Sequence, residues 1–276
     1  MAITAKPAEL QPRPTELSTE RPDWWERFFY GFGPYLFLII LWEGVRILLN
    51  VGPSKMPSLW SAVEAIGRVA ANGILPDYIF HSLFRIGVAA AISITLGIII
   101  GLAIGLNATI SSFFLPLLRY FNSLSGIAWL PLFLIWFGFN DKTIVTTVSY
   151  TLIFPVVFNT VVGVRTVPKV FRHAVLTMGG SWRDIVFGVI LPGALPSVIA
   201  GIRLGVAYGW RALIASEMLI GAGGIGFMIF KAQASNLTDR IVAGMLLIGI
   251  LWALIDYFLL QPLEESTIRR WGMVYR

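Results

Sequence analysis

The sequence predicts an all-α, polytopic membrane protein with about six transmembrane helices, and two observations support this fold class. First, 57% of the 276 residues are hydrophobic and only 13% are charged, and the mean hydropathy is +0.77. This composition leaves too few polar side chains to cover a water-soluble domain. Second, the apolar residues gather in runs that can cross a bilayer, where a helix satisfies its own backbone hydrogen bonds.

The apolar runs define six predicted spans, at about residues 35–50, 78–106, 112–138, 143–164, 196–219 and 240–260. Pro116 and Pro131 interrupt the third span, so we expect a kink there. Residues 1–29 are predicted to be a cytoplasmic tail with a short helix on the membrane surface, because aromatic side chains crowd its end. Residues 30–262 would form the transmembrane domain, and residues 263–276 a second, basic cytoplasmic tail.

Two of the spans carry glycine at every fourth position, which lets a second helix approach closely. These residues are Gly97, Gly101 and Gly105 in the second span and Gly201, Gly205 and Gly209 in the fifth. We interpret the first stripe as internal helix packing.

The distribution of Lys and Arg orients the spans. With six spans and both termini in the cytoplasm, twelve of the 21 basic side chains lie in inner segments and five in outer segments. The other four, Arg46, Arg85, Arg203 and Arg211, lie in or near spans. Because basic loops favour the cytoplasmic side, the segment between the fourth and fifth spans is predicted to be cytoplasmic.

This segment, the central loop (residues 168–192), is predicted to form a helix, a tight break and a second helix. Residues 170–178 have an amphipathic pattern. Gly179 and Gly180 supply the positive φ that ends a helix. Ser181 followed by Asp184 is a capping-box start for the next helix, with Asp in place of the usual Glu or Gln. We expect Pro192 and Pro196 to mark the start of the fifth span.

The central loop resembles the cytoplasmic "EAA" loop of ABC importer permeases, whose pattern is E-A-A, three residues, G, nine residues, I-x-L-P. The chain matches this pattern at Ala174, Gly179, Leu191 and Pro192 and departs from it at His173 and Val175. Over about residues 80–262, further motifs resemble the nitrate/sulfonate/taurine branch of these permeases. They are AWLPLFLIWFG at 128–138, VILPGALPSVIAGIRLG at 189–205, ASEML at 215–219 and GIGFMI at 224–229.

The resemblance implies a type I ABC importer transmembrane domain in the bacterial cytoplasmic membrane. It implies a homodimeric path for a small solute, such as nitrate, a sulfonate like taurine, or bicarbonate. Two ATPase subunits on the cytoplasmic side would dock on the two central loops, and a periplasmic or lipid-anchored protein would deliver solute. The residues expected to couple the loop to the ATPase are Arg172, His173, Ala174, Val175, Gly179, Leu191 and Pro192.

The fifth span carries unusual charge for a membrane helix. A charged side chain near mid-bilayer costs roughly 2.5–3.5 kcal/mol even on the lenient insertion scale and usually faces a cavity or a partner. Our hypothesis is that Arg211 and Glu217 line the translocation path with Trp129 and Asn159. Arg211 would hold an anion, and Glu217, nearer the outer face, would limit that hold. The alternative is that Arg211 pairs with Glu217 or with a backbone carbonyl.

Motifs for catalysis or for cofactor binding in this chain are weak. It has no cysteine, two histidines and no G-x-x-x-x-G-K-[ST] loop. Residues 221–226 fit G-x-G-x-x-G, but a long apolar helix and not a strand precedes them. We therefore expect no catalytic, cofactor or metal site here, with ATP and Mg bound by the partner ATPase. A passive channel and a membrane-embedded enzyme remain as alternative classes.

Overall fold

The computed structural model describes the backbone of residues 24–270 and the side chains of residues 33–267, and within this range the chain forms only helices and turns. The described part divides into two units, one ending at Asn50 and the other beginning at Val51. The predicted all-α fold class is therefore confirmed for the described chain.

The first unit contains a single described helix, α1 (Trp24–Leu48), of 25 residues. The short surface helix and the first span were predicted separately, but from Trp24 onwards they form one continuous helix. Within α1, Arg46 Nε donates to Glu43 at 2.6 Å, one turn away. Residues 1–23 of the predicted N-terminal tail lie outside the described residues.

The second unit contains eleven described helices. They are α2 (Leu59–Ala71), α3 (Leu75–Leu106), α4 (Ala108–Ser123), α5 (Leu130–Phe137), α6 (Asp141–Thr166), α7 (Lys169–Thr177), α8 (Trp182–Ile185), α9 (Leu191–Ile220), α10 (Ile225–Ala234), α11 (Thr238–Ile255) and α12 (Gln261–Arg270). A 3₁₀ turn, Gly126–Trp129, precedes α5. Two π-helical segments, Val186–Ile190 and Asp256–Leu260, join α8 to α9 and α11 to α12.

Four helices of the described chain are long and apolar enough to cross a membrane, or five if one bent pair counts as a span. The four are Leu75–Leu106, Asp141–Thr166, Trp182–Ile220 and Thr238–Thr267. The predicted third span is the bent pair, Ala108–Ser123 with Gly126–Phe137, at an angle of 83°. The expected kink is therefore a sharp turn. At this turn Gly126 packs so tightly that a Cβ would lie 1.9 Å from Thr151 Oγ1 of α6.

Helix α6 lies at the centre of the second unit, between α3 and α9. A Cβ added to Gly101 of α3 would lie 2.5 Å from Thr160 Cβ, and one added to Gly205 of α9 would lie 2.8 Å from the Leu152 carbonyl oxygen. Both glycine stripes therefore let a neighbouring helix pack closely against α6. Internal helix packing was the predicted role of the α3 stripe, and it is confirmed.

The helix that contains α9 begins earlier than predicted. It runs without a break from Trp182 to Ile220, 39 residues in all, so Pro192 and Pro196 lie within it and do not mark its start. A proline inside a helix removes a donor and crowds the carbonyl four residues earlier. The π-helical turn ends two residues before Pro192, and the other π-helical turn likewise ends two residues before Pro262. These wider turns accommodate the prolines.

Candidate functional site

The break in the central loop is a Schellman motif at the C-terminal end of α7. The Gly180 N–H donates to the Val175 carbonyl at 2.9 Å, and the Gly179 N–H donates to the Leu176 carbonyl at 3.0 Å. Gly179 has a φ of +76°, whereas a Cβ on Gly180 would lie 2.4 Å from Val175 Cγ1. The two glycines are therefore needed for different reasons, Gly179 for its backbone angle and Gly180 for space.

The helix after the break starts with the predicted capping box. The Ser181 N–H and hydroxyl both donate to Asp184 Oδ2, each at 2.7 Å. The Asp184 N–H donates in return to Ser181 Oγ at 3.4 Å. The predicted order of helix, tight break and helix is thus confirmed.

One side of the central loop is fixed to the helices beside it. Val175 packs against a buried apolar cluster of Val164, Ile185, Ile190, Ala194 and Val198. Arg172 Nη2 donates to the Val164 carbonyl oxygen of α6 at 3.2 Å. The loop therefore cannot move far without moving the ends of α6 and α9.

The other side of the loop is exposed and apolar. Its large exposed side chains are Val170, Phe171, Leu176, Met178, Trp182 and Phe187, of which Met178 is 86% exposed. His173 and Ala174 are exposed among them, as are the basic side chains of Lys169 and Arg183. Apolar groups mixed with charges are poorly suited to lipid, and an exposed patch of this kind is typical of a protein-binding surface.

The remaining two residues of the "EAA" pattern, Leu191 and Pro192, lie inside the continuous helix. Both are half-buried, and the Leu191 N–H donates to the Val186 carbonyl oxygen across the π-helical turn. They thus lie beside the buried cluster that holds Val175. The "EAA" pattern therefore includes residues of the exposed surface and residues next to this buried cluster.

Helix α9 also presents an uncovered stripe, consisting of Leu204, Tyr208, Arg211 and Leu219, all of them exposed. The guanidinium carbon of Arg211 lies 5.8 Å from the centre of the Tyr208 ring. The structure shows no acidic partner for Arg211 among the described side chains. The pairing of Arg211 with Glu217, considered from the sequence, is not observed.

Glu217 lies on the packed side of α9, away from the exposed stripe, and has no exposed surface. Its carboxylate accepts from Arg85 Nη1 at 2.8 Å, from Ser82 Oγ at 2.8 Å and from the Gly226 N–H at 3.0 Å. This corrects the expectation that Glu217 lines the path beside Arg211. A buried carboxylate needs a counter-charge and donors, and α3 supplies both.

Arg85 is fully buried, and all of its N–H groups are directed to acceptors in three parts of the chain. Its Nε and Nη2 atoms donate to Asp141 Oδ1 of α6 at 3.0 and 2.7 Å. Nη1 bonds both Glu217 and the Gly223 carbonyl, and Nη2 also bonds the Ala222 carbonyl at 2.5 Å. We call this set of Ser82, Arg85, Asp141 and Glu217 the Arg85 cluster.

No role was predicted for Arg85 or Ser82 from the sequence, although a signal was present. A charged residue inside a long apolar helix requires a partner, and α3 and α9 each carry one of opposite sign. Arg85 and Glu217 are 132 positions apart in the chain, so no local pattern indicates that these two charges meet.

The glycine turn (residues 221–224) and the start of α10 enclose the Glu217 carboxylate. Gly221, Gly223 and Gly224 all have positive φ. A Cβ on Gly224 would lie 2.3 Å from the Glu217 carboxyl carbon, and one on Gly226 would lie 2.4 Å from the Ile214 carbonyl oxygen. The G-x-G-x-x-G run thus surrounds a carboxylate of its own chain.

The other two residues assigned to the path lie at helix contacts. Trp129 is half-buried in an aromatic group with Phe121, Phe133 and Tyr150. Asn159 of α6 donates to the Pro155 carbonyl at 2.9 Å, and its Cβ lies beside Gly201 of α9. Both are half-buried.

Arg203 of α9 forms a second cluster of ion pairs. It makes a two-pronged contact with Asp256, at 2.9 and 2.8 Å, and also bonds Glu264 of α12. This cluster joins α9 to the segment that follows α11. Arg203 is therefore paired, unlike Arg211, which shares the same helix.

Comparison with known proteins gives the family. The model for binding-protein-dependent transport system inner membrane components matches residues 93–260, more than half of the chain. The chain belongs to this family. As a member of it, the chain is a permease subunit of an ABC importer, which favours an ATP-driven importer over a passive channel. Such a permease is a transport subunit and not an enzyme, and it works with a separate ATPase and a solute-binding protein in the inner membrane.

Several curated relatives are permeases of one branch of this family. The taurine transport system permease protein TauC of Escherichia coli (strain K12) is 30% identical over 231 residues, which cover 82% of this chain and 84% of that protein. The nitrate import permease protein NrtB of Synechocystis sp. is 29% identical, covering 80% and 83%. The putative aliphatic sulfonates transport permease protein SsuC of Bacillus subtilis (strain 168) is 26% identical, covering 86% of each. The predicted branch of the family is confirmed.

A solved structure shares the fold. A chain of the MetNI methionine ABC transporter, in an inward-facing conformation, aligns with a TM-score of 0.58 and 18% identity, covering 72% of this chain and 98% of that one. At this identity the likeness concerns the fold, and it supports the predicted ABC importer transmembrane domain.

Proposed function

We propose that two copies of this permease form the translocation path for a small anion and that Arg211 of each copy lines this path. The observation that supports the proposal best is the exposed stripe on α9, where Arg211 has no acidic partner among the described side chains. An unpaired guanidinium on a membrane helix is costly in lipid. A second copy of the chain that covers this stripe, with a water-filled path between the copies, would remove the cost.

The chemistry of Arg211 suits an oxyanion. A guanidinium presents planar pairs of N–H donors that match the oxygens of nitrate, bicarbonate or a sulfonate. The relatives named for taurine, nitrate, sulfonates and bicarbonate share a solute with an oxyanionic group. The proposed lining of the path keeps Trp129 and Asn159. It includes the exposed residues of the α9 stripe and no longer includes Glu217.

The central loop is the proposed docking site for the ATPase. Its exposed apolar side chains form a short helical projection that a groove on a soluble partner can accept. Its other side is fixed to α6 and α9, so force applied at the loop reaches the spans. In this proposal the loop and both termini face the cytoplasm, the partner ATPase binds ATP and Mg, and this chain binds no cofactor. A periplasmic or lipid-anchored protein delivers the solute from the other side.

Uptake measurements on the reconstituted transporter test the role of Arg211. The permease, its ATPase and its binding protein would be placed in liposomes, and the uptake of labelled nitrate, bicarbonate and taurine measured over a range of concentrations. We expect Arg211→Ala to reduce uptake at least about tenfold and Arg211→Lys to retain part of it, as for a charged hydrogen bond worth about 1.5–3 kcal/mol. Arg68→Ala is the control, because it removes an exposed pair with Asp239. Unchanged uptake kinetics in Arg211→Ala would remove Arg211 from the path.

Disulfide trapping tests the dimer. Because the chain has no cysteine, a single Tyr208→Cys variant carries the one thiol of each copy. We expect oxidation in the membrane to give a disulfide-linked dimer for Tyr208→Cys. A cysteine at Phe80, which is exposed on α3, serves as the comparison. Equal cross-linking of the two variants would contradict a dimer contact at the α9 stripe.

A further inference from the structure

We propose that Arg85 is a positioning residue that makes the glycine turn move together with α9, and that the solute-binding protein needs this link to stimulate ATP hydrolysis. The inference rests on the proposed function for its orientation, with the glycine turn on the outer side and the central loop on the ATPase side.

The first support is the way Arg85 holds the glycine turn. The carbonyl oxygens of Ala222 and Gly223 accept from the Arg85 guanidinium at 2.5 and 2.8 Å. The next peptide groups, Ile225 and Gly226, donate to Ser82 and Glu217 at 3.0 Å each. Both the turn and the start of α10 are thus bonded to the Arg85 cluster, so a displacement of the turn displaces the cluster.

The second support is the burial and completeness of the cluster. Arg85 and Glu217 have no exposed surface, and each N–H of the guanidinium has an acceptor. Buried networks of this kind are rigid when every member is satisfied. Asp141 is the one half-exposed member, with 51% of its side chain exposed, and it ties the start of α6 to the same group.

The third support is the continuity of the helix that carries Glu217. It runs from Trp182, directly after the N-cap residue Ser181 of the central loop, to Ile220. The carboxylate that Arg85 binds therefore belongs to the same helix as the end of the proposed ATPase-docking loop. A protein that presses on the glycine turn thereby acts, through Arg85 and Glu217, on the helix that reaches the ATPase.

The experiment compares ATP hydrolysis with and without the binding protein in the complete transporter in liposomes. Arg85→Lys keeps the positive charge but lacks the forked donors that bridge Asp141, Glu217 and the turn. We expect basal ATP hydrolysis to stay within about twofold of the unaltered transporter. We expect the stimulation by solute-loaded binding protein to fall about tenfold, which lies within the usual range of coupling between sites.

A purely structural role gives a different pattern. Loss of packing alone would lower the amount of assembled transporter and scale basal and stimulated hydrolysis together, so the ratio of the two would not change. Arg68→Lys is the matched control. Arg68 lies between the first two predicted spans, which is the outer side in the proposed orientation, and it is ion-paired but half-exposed. An unchanged stimulation ratio in Arg85→Lys overturns the proposal.

A milder variant covers the case in which Arg85→Lys does not assemble. Asp141→Asn removes one charge at the exposed edge of the cluster, and we expect a smaller fall in the ratio with normal assembly. Hydrogen exchange should become faster at residues 221–226 and stay unchanged at residues 169–185. If neither hydrogen exchange at residues 221–226 nor the stimulation ratio changes, stimulation by the binding protein does not need the link.

Copurification separates this proposal from the proposed function. The Arg85 and Asp141 variants should still copurify with the ATPase. An unaltered permease that does not copurify with an ATPase would contradict the proposed function itself.

Discussion

The Arg85 guanidinium and the Glu217 carboxylate lie 2.8 Å apart at the meeting point of α3 and α9, and neither side chain has exposed surface. In a low-dielectric interior each charge depends on the other, because removal of one leaves the second desolvated and unpaired. The Arg85 guanidinium also donates to Asp141 and to the carbonyl groups of Ala222 and Gly223. The stability of this part of the permease therefore depends on a few polar atoms.

Glu217→Ala should destabilise the permease strongly. Breaking a buried pair by removing one partner costs about 3–5 kcal/mol, so the detergent-solubilised protein should unfold at a clearly lower temperature. Replacing both Arg85 and Glu217 by Met should recover much of the loss, since no buried charge is then left unpaired and Asp141, which loses Arg85, is half-exposed. Asp141→Ala, at the half-exposed edge, should cost less than Glu217→Ala. Equal melting temperatures for Glu217→Ala and Asp141→Ala would contradict the importance of burial.

Gly179→Val should uncouple ATP hydrolysis from uptake. A side chain at φ +76° costs about 1–2 kcal/mol, and a β-branched one fits that angle worst, so the Schellman turn would open. Gly179→Asn is the matched control, because Asn tolerates the left-handed region. The solute imported per ATP hydrolysed should fall in the Val variant and remain near normal in the Asn variant. If the two variants transport alike, the turn geometry is not what couples the loop.

Gly101→Ala should weaken the packing of α3 on α6. The new methyl group would lie 2.5 Å from Thr160 Cβ and 3.0 Å from the Val157 carbonyl oxygen, and overpacking of this kind costs about 1–3 kcal/mol. Gly87→Ala in the same helix adds a carbon that has no atom of another helix within 4 Å, so it should leave the melting temperature unchanged or raise it. A lower melting temperature for Gly87→Ala than for Gly101→Ala would refute the close approach.

Single cysteines should reveal the orientation of the loops. The cysteine-free sequence makes Met178→Cys in the central loop and Phe139→Cys before α6 clean reporters, and both positions are well exposed, at 86% and 73%. In intact cells, a membrane-impermeant maleimide should label the Phe139 position and not the Met178 position. Lysis should make Met178→Cys reactive, and bound ATPase should slow that reaction. Labelling of Met178→Cys in intact cells would reverse the proposed orientation.

Local features of the central loop followed directly from the sequence. Gly179 with Gly180, and Ser181 with Asp184, each specify a backbone geometry through neighbours at most a few positions away. The long helices were similarly evident, because an uncharged run determines its own conformation in lipid. These features depend on contacts of short range in the chain, so local sequence patterns predict them.

Contacts between distant segments are not specified by local patterns. A carboxylate in a span is compatible with a solute path or with a buried pair, and only the fold brings Arg85 to Glu217. The predicted helix start at Pro192 is wrong for a related reason. The π-helical turn before Pro192 lets the helix continue through this residue.

The helix from Trp182 to Ile220 is much longer than a bilayer requires. At 1.5 Å per residue its 39 residues extend roughly 58 Å, compared with about 30 Å for the hydrocarbon core. In the proposed orientation, if a helix of this length moves as one body about its outer end, a tilt of about 5° displaces the end at the central loop by about 5 Å, one helical pitch. A movement of several ångströms at the proposed ATPase-docking loop would therefore correspond to only a small tilt of the helix within the bilayer.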